Sequence, residues 1–258
     1  MTIFVILLLA SVLGGAANAL AGGGTFLTFP ALLLSHIPPV RANATASLVL
    51  LPGAFASAWV YRDTIRVNTS RQFLWLMLAA SLIGSAVGSA LLMMTSNSTF
   101  SGLVPWLLLV ATAVFSLAPR IRKWAAAFTS HQSGHQSIAW LLVGQIVISA
   151  YGGYFGAGMG VLMIALYLIA TNLDVHAASG LRMICSCAIN TLAVIIFAAR
   201  GAIDYKAGIP MLIAGIAGGY LGALLVKRLD PKVARRAILS YAWVLTAFFF
   251  GRMFIGPD

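Results

Sequence analysis

Residues 22–34 read GGGTFLTFPALLL: three glycines stand directly before an apolar run, 25–34. At ~1.5 Å per residue that run is too short to cross a hydrocarbon core about 30 Å thick. The pattern returns at residues 156–169 as GAGMGVLMIALYLI. RANATASL (41–48) follows the first copy and HAASGLRM (176–183) the second. Gly24 then falls on Gly160, Ala42 on Ala178 and Asn68 on Asp204 at an offset of 136 residues; an offset two residues shorter brings Gly84 and Gly88 onto Gly218 and Gly222. Self-similarity at a fixed spacing bears on the whole architecture. Hydrophobic segments interrupted by glycine at corresponding places in two halves point to the binding region of a transporter.

Composition sets the surroundings. With 61% hydrophobic and 8% charged residues over 258 positions, the chain departs from soluble globules, in which about 25% of residues are charged. Long apolar stretches cover roughly 2–21, 42–61, 72–95, 102–118, 138–155, 177–199, 207–226 and 237–254, with short ones at 25–34 and 160–171. Open sheet edges are excluded from lipid and the polar/apolar alternation of a membrane barrel is missing, so the expected class is an all-α polytopic membrane protein. The opening MTIFVILLLASVLGGAANALA has a signal-like site at Ala17-Asn18-Ala19 but no basic n-region. Because its counterpart at 138–157 belongs to the fold, it is read as part of the fold too. The two cysteines, Cys185 and Cys187, stand at i and i+2 on different helix faces and are read as packing residues, with neither a disulfide nor a metal site. The net charge of +11 sits in loops flanking helices, which fits lipid headgroups and insertion rules and gives no reason to invoke nucleic acid.

Charge also sets orientation. Arg62, Arg66 and Arg71 flank one loop, Arg120, Arg122 and Lys123 the centre, and Lys227, Arg228, Lys232, Arg235 and Arg236 a third. All three should be cytoplasmic. They share a side only if the first segment of each half enters and returns as a hairpin with its short partner, which makes the halves two inverted repeats with interrupted, re-entrant first helices. The expected division is a first repeat at 1–118, a cytoplasmic linker at 119–137 that carries His131, Ser133, Gly134 and His135, and a second repeat at 138–258.

The glycine clusters are where a ligand is expected. Gly22, Gly23, Gly24 and Thr25 in one half, with Gly156, Gly158 and Gly160 in the other, would start short helices whose free N–H groups and macrodipole attract an anion. Gly84, Gly88, Gly218 and Gly222 are read instead as helix-packing residues. Arg182 lies in an otherwise apolar run. A charge at that depth marks a pathway, although a long side chain near a helix end can also snorkel. Asn43 and Thr45 supply neutral donors, with Ser47, Ser179 and Asn190 as further polar positions; Asn18 and Tyr154 align under the repeat. The acids Asp63, Asp174, Asp204, Asp230 and Asp258 all fall in loops or at the terminus, and there is no glutamate. Carboxylate-based ion coupling is therefore disfavoured, and a donor-rich path without acids suits an anion.

At these residues the chain resembles the TauE/SafE family of sulfite exporters: AGGGTFLTFPALL with RANATASL, then the degenerate copy GAGMGVLMIAL with HAASGLRM, over essentially the whole length. The second copy departs from the first in having Leu166 where the first has Pro30. The resemblance implies a multi-pass transporter of the bacterial inner (plasma) membrane exporting sulfite or a small organosulfonate. Its site would draw on Gly22, Gly23, Gly24, Pro30, Asn43, Thr45, Gly156, Gly158 and Gly160. The expected partners are a small anionic substrate and membrane lipid, with a homodimer left open and no cofactor or metal. The alternatives are a non-transporting assembly factor, or a membrane-embedded enzyme using Cys185, Cys187, His36 or His176, for which no acid–base pair stands at a recognisable spacing.

Overall fold

The computed structural model describes residues 2–21, 23–129, 138–171, 173–226 and 231–255. Helices follow one another as α1 (Thr2–Ala21), α2 (Thr25–Leu34), α3 (Pro39–Asn68), α4 (Arg71–Met94), α5 (Asn97–Thr129), α6 (Ile138–Tyr154), α7 (Met159–Ala170), α8 (Val175–Ala199), α9 (Tyr205–Val226) and α10 (Pro231–Ile255). No strand occurs among the described residues, and the chain is an all-α polytopic membrane protein. Among the described residues, Arg71–Met94, Asn97–Ile121 and His176–Ala199 are long and apolar enough to cross a bilayer by length and composition alone. Large apolar side chains such as Ile3, Leu13, Trp75, Val147, Ile213 and Val244 are exposed, as hydrocarbon surroundings allow.

Side chains mark several helix starts. The Ser70 hydroxyl accepts the Phe73 N–H (3.2 Å), that of Ser96 the Thr99 N–H (3.1 Å), the Asp174 carboxylate the Ala177 N–H (2.7 Å) and that of Asp204 the Ala207 N–H (3.0 Å). Each satisfies one donor that a helix start leaves over. Ser70 and Asp204 therefore play the same part before α4 and α9, so the two-residue difference between the halves falls ahead of these caps. The α5 helix runs on through Thr129, into the stretch read as linker; residues 130–137, with His131, Ser133, Gly134 and His135, lie outside the described residues, as does the loop at 227–230.

The chain forms two compact units. One comprises Met1–Gly53, Leu92–Ala113 and Phe197–Asp258; the other comprises Ala54–Leu91 and Val114–Ile196. In the first unit α1 and α2 fold back as a hairpin: a Cβ on Gly14 would meet Thr28 Cγ2 at 2.7 Å, and one on Gly24 would meet Asn18 Cβ at 2.9 Å. The partner of α1 is α9, where a Cβ on Gly15 would strike the Gly215 carbonyl oxygen and one on Gly218 that of Val12. The start of α3 also packs here, since a Cβ on Gly215 would lie 3.4 Å from Val49 Cγ1.

The second unit repeats this arrangement with α6 and α7 as the hairpin. A Cβ on Gly144 would reach Leu166 Cδ1 at 2.8 Å, and one on Gly152 would strike the Met159 sulfur. Its partner helix is α4, where Cβ atoms on Gly84 and Gly88 would strike the Ile146 and Ala150 carbonyl oxygens. Ser85 on α4 donates to the Ile189 carbonyl of α8 at 2.8 Å. Each unit thus holds the hairpin and following helix of one sequence half and the glycine-spaced helix of the other. Small residues at such contacts let backbones approach closely in lipid, the packing role expected for Gly84, Gly88 and Gly218.

Candidate functional site

The two breaks are built differently. At the first, Gly24 keeps right-handed helical dihedrals (φ −60°, ψ −35°) as the N-cap of α2. Glycine is needed there for room: a Cβ would stand 2.6 Å from the Gly14 carbonyl oxygen and 2.7 Å from Leu50 Cδ2. The Thr28 hydroxyl donates to the Gly24 carbonyl at 3.2 Å and the Thr28 N–H to the same oxygen at 3.1 Å. Asn18 faces this break from α1, and its Nδ2 would be 3.3 Å from a Cβ on Gly53 of α3. The structure thus brings Asn18 to Gly24, and Gly23 and Gly24 are buried. Gly22 lies outside the described residues.

At the second break backbone conformation is decisive. Gly156 and Gly158 take φ +81° and +77°, a left-handed region that costs other residues roughly 1–2 kcal/mol. The Tyr151 hydroxyl donates to the Ala157 carbonyl at 2.6 Å, fixing the connection between α6 and α7. Gly160 then stands in the first turn of α7 without a side chain, and the Arg182 guanidinium of α8 occupies that space: a Cβ on Gly160 would strike Nη1 and stand 3.0 Å from Cδ. Arg182 is partly buried, and its Nη2 donates to the Met183 sulfur at 3.1 Å. A permanent cation thus stands beside the partial positive charge of a helix start.

Asn43 is buried in the second turn of α3. The Thr45 hydroxyl is committed on both sides, donating to the Arg41 carbonyl at 2.7 Å and accepting the Asp204 N–H at 2.9 Å, so it ties α3 to the start of α9. Thr25, Gly23 and Gly24 gather at the first break, and Gly156, Gly158, Gly160 and Arg182 at the second. Sequence reasoning overlooked a buried polar group in the second unit: Gln145 of α6 donates to Ser81 of α4 (2.7 Å) and accepts from Tyr167 of α7 (2.9 Å). The available signal was an amide in the largely apolar run 138–155.

A polytopic helical protein with two glycine-broken hairpins, one carrying a cation at its helix start, has the features of a membrane transporter. The sequence bears this out: the chain belongs to the sulfite exporter TauE/SafE family, whose profile matches residues 7–249. It is 26% identical over 233 residues to a "Probable membrane transporter protein" of Haemophilus influenzae, covering 89% of this chain and 88% of that one. It is 22% identical over 244 residues to the "Probable membrane transporter protein YfcA" of Escherichia coli, covering 94% and 87%. A Sinorhizobium "Probable membrane transporter protein ORF9" is 24% identical over 229 residues, covering 89% and 85%. No solved structure matches the chain.

Proposed function

We propose that this transporter exports a small sulfur oxyanion, sulfite or an organosulfonate, across the bacterial inner membrane. The observation that carries the reading is the Arg182 guanidinium lying in the space left by Gly160 at the start of α7. A sulfonate offers three oxygens to a planar five-donor fork and to backbone N–H groups together, which a carboxylate-lined path would repel. The glycines that the family resemblance singles out, Gly23, Gly24, Gly156, Gly158 and Gly160, are the binding positions, with Gly22, Thr25 and Asn43 contributing from the first half and Thr45 holding α3 in place. The two sequence halves act as inverted repeats joined by a cytoplasmic linker, and the chain works as a transporter and not as an enzyme. Export from a negative interior needs no coupling carboxylate, because the membrane potential supplies about 2.3 kcal/mol per charge per 100 mV.

A binding panel on purified protein tests the reading: sulfite, sulfoacetate and sulfolactate should bind and should lose binding in Arg182→Gln, while the variant keeps its folded yield. Normal binding by Arg182→Gln would make Arg182 a snorkelling residue and remove the site.

A further inference from the structure

We propose that Gln145 and Tyr167 are positioning residues that hold the start of α7, and with it the Gly160–Arg182 contact, in one place, and that the corresponding positions of the first unit form no such anchor. This inference rests on the proposed role of that contact.

The amide of Gln145 is the centre of the anchor. Its Oε1 accepts the Tyr167 hydroxyl at 2.9 Å, and its Nε2 donates to Ser81 at 2.7 Å and to Ser149 at 3.3 Å. Ser81 in turn donates to the Met77 carbonyl at 2.6 Å. The Cys185 thiol of α8 sits against the Ser81 and Tyr167 hydroxyls. Ser81, Gln145, Ser149, Tyr167 and Cys185 are all 0% exposed. The bonds run in one direction, from the Tyr167 phenol through the amide to a backbone carbonyl. Rotating α7 would break the chain and leave buried polar atoms without partners, an outcome that a dry interior penalises.

The anchor also lies where it can govern the site. Tyr167 stands two turns beyond Gly160 on nearly the same face of α7, and Cys185 one turn beyond Arg182 on α8. The two contacts between α7 and α8 therefore move together. In the first unit, the repeat register puts Leu9, Leu13, Ala31, Val49 and Gly215 at the five positions, none with a polar side chain. Val49 and Gly215 still touch there, the counterparts of Cys185 and Ser81. The packing is conserved between the units while the hydrogen bonds are confined to one.

Thiol labelling by N-ethylmaleimide in native membranes tests this. Cys185 reports the anchored unit in a Cys187→Ala background, and Val49→Cys with both native cysteines changed to Ala reports the other. The two positions are 0% and 2% exposed, so static burial predicts equal rates. The proposal predicts several-fold faster labelling of Val49→Cys; equal rates, or faster labelling of Cys185, overturn it. Tyr167→Phe should speed Cys185 labelling several-fold and raise KM for a sulfonate several-fold, with Vmax changed by no more than about two-fold. Faster labelling with KM unchanged overturns the positioning role. If the variant does not fold, the ranking of the two labelling rates still decides. If the wild-type chain moves no sulfonate at all, the substrate reading fails while the labelling result stands on its own.

Discussion

Arg182 and Gly160 form a pair in which the absence of one side chain makes room for the other. Gly160→Ala should keep the fold, because its Cβ meets the flexible end of an arginine. By pushing the guanidinium aside it should weaken sulfonate binding by about ten-fold, or ~1.4 kcal/mol, in titration calorimetry. Arg182→Lys keeps the charge and loses the planar fork, so it should bind more weakly than wild type and more tightly than Arg182→Gln. Gly158→Ala acts through backbone conformation instead. At φ +77° it should destabilise the protein by roughly 1–2 kcal/mol, read as a lower unfolding temperature in detergent. An unchanged unfolding temperature would show that the break relaxes without strain.

Helix ends and helix contacts explain what could be read in the chain beforehand. Asp204→Ala removes the cap of α9 and should cost about 1 kcal/mol, a fall of about 2–4 °C in the unfolding temperature; no fall would mean that Thr45, which binds the Asp204 N–H, suffices to hold that start. The glycine breaks were legible because an apolar run of ten or twelve residues standing directly after a glycine cluster cannot be an ordinary membrane span. The packing role of Gly84, Gly88 and Gly218 was legible from their spacing. The length of α5 was not. Hydropathy falls at Pro119 and the arginines that follow, but it records depth in the bilayer, while backbone hydrogen bonding continues through the alanines to Thr129. The pairing of Gln145 with Tyr167 and Ser81 was hidden for a different reason: the residues come from three helices and meet only after α6 has packed on α4 and α7 has folded back. The same holds for Arg182, whose sequence position says that it is costly but not that Gly160 receives it.

The duplication has a consequence for how the chain crosses the membrane. The proposed inversion of the two halves would place the basic segments around Ser70 and Lys232 on the same face, with Ser96 on the other. Single cysteines at these positions, with Cys185 and Cys187 changed to Ala, should react with an impermeant maleimide from the cytoplasmic side for Ser70 and Lys232 and from the outside for Ser96. Lys232 labelling from the outside would contradict inversion. Each compact unit draws its glycine-spaced helix from the opposite half, so neither hairpin is packed by its own half alone, which suits a machine whose two halves act together. Flux is the most direct measurement: proteoliposomes containing the wild-type chain should release preloaded sulfite or sulfoacetate faster when the interior is made negative, and those containing Arg182→Gln, reconstituted to the same folded density, should release neither. Equal release by the two would mean that this guanidinium and the α7 start do not bind the transported anion.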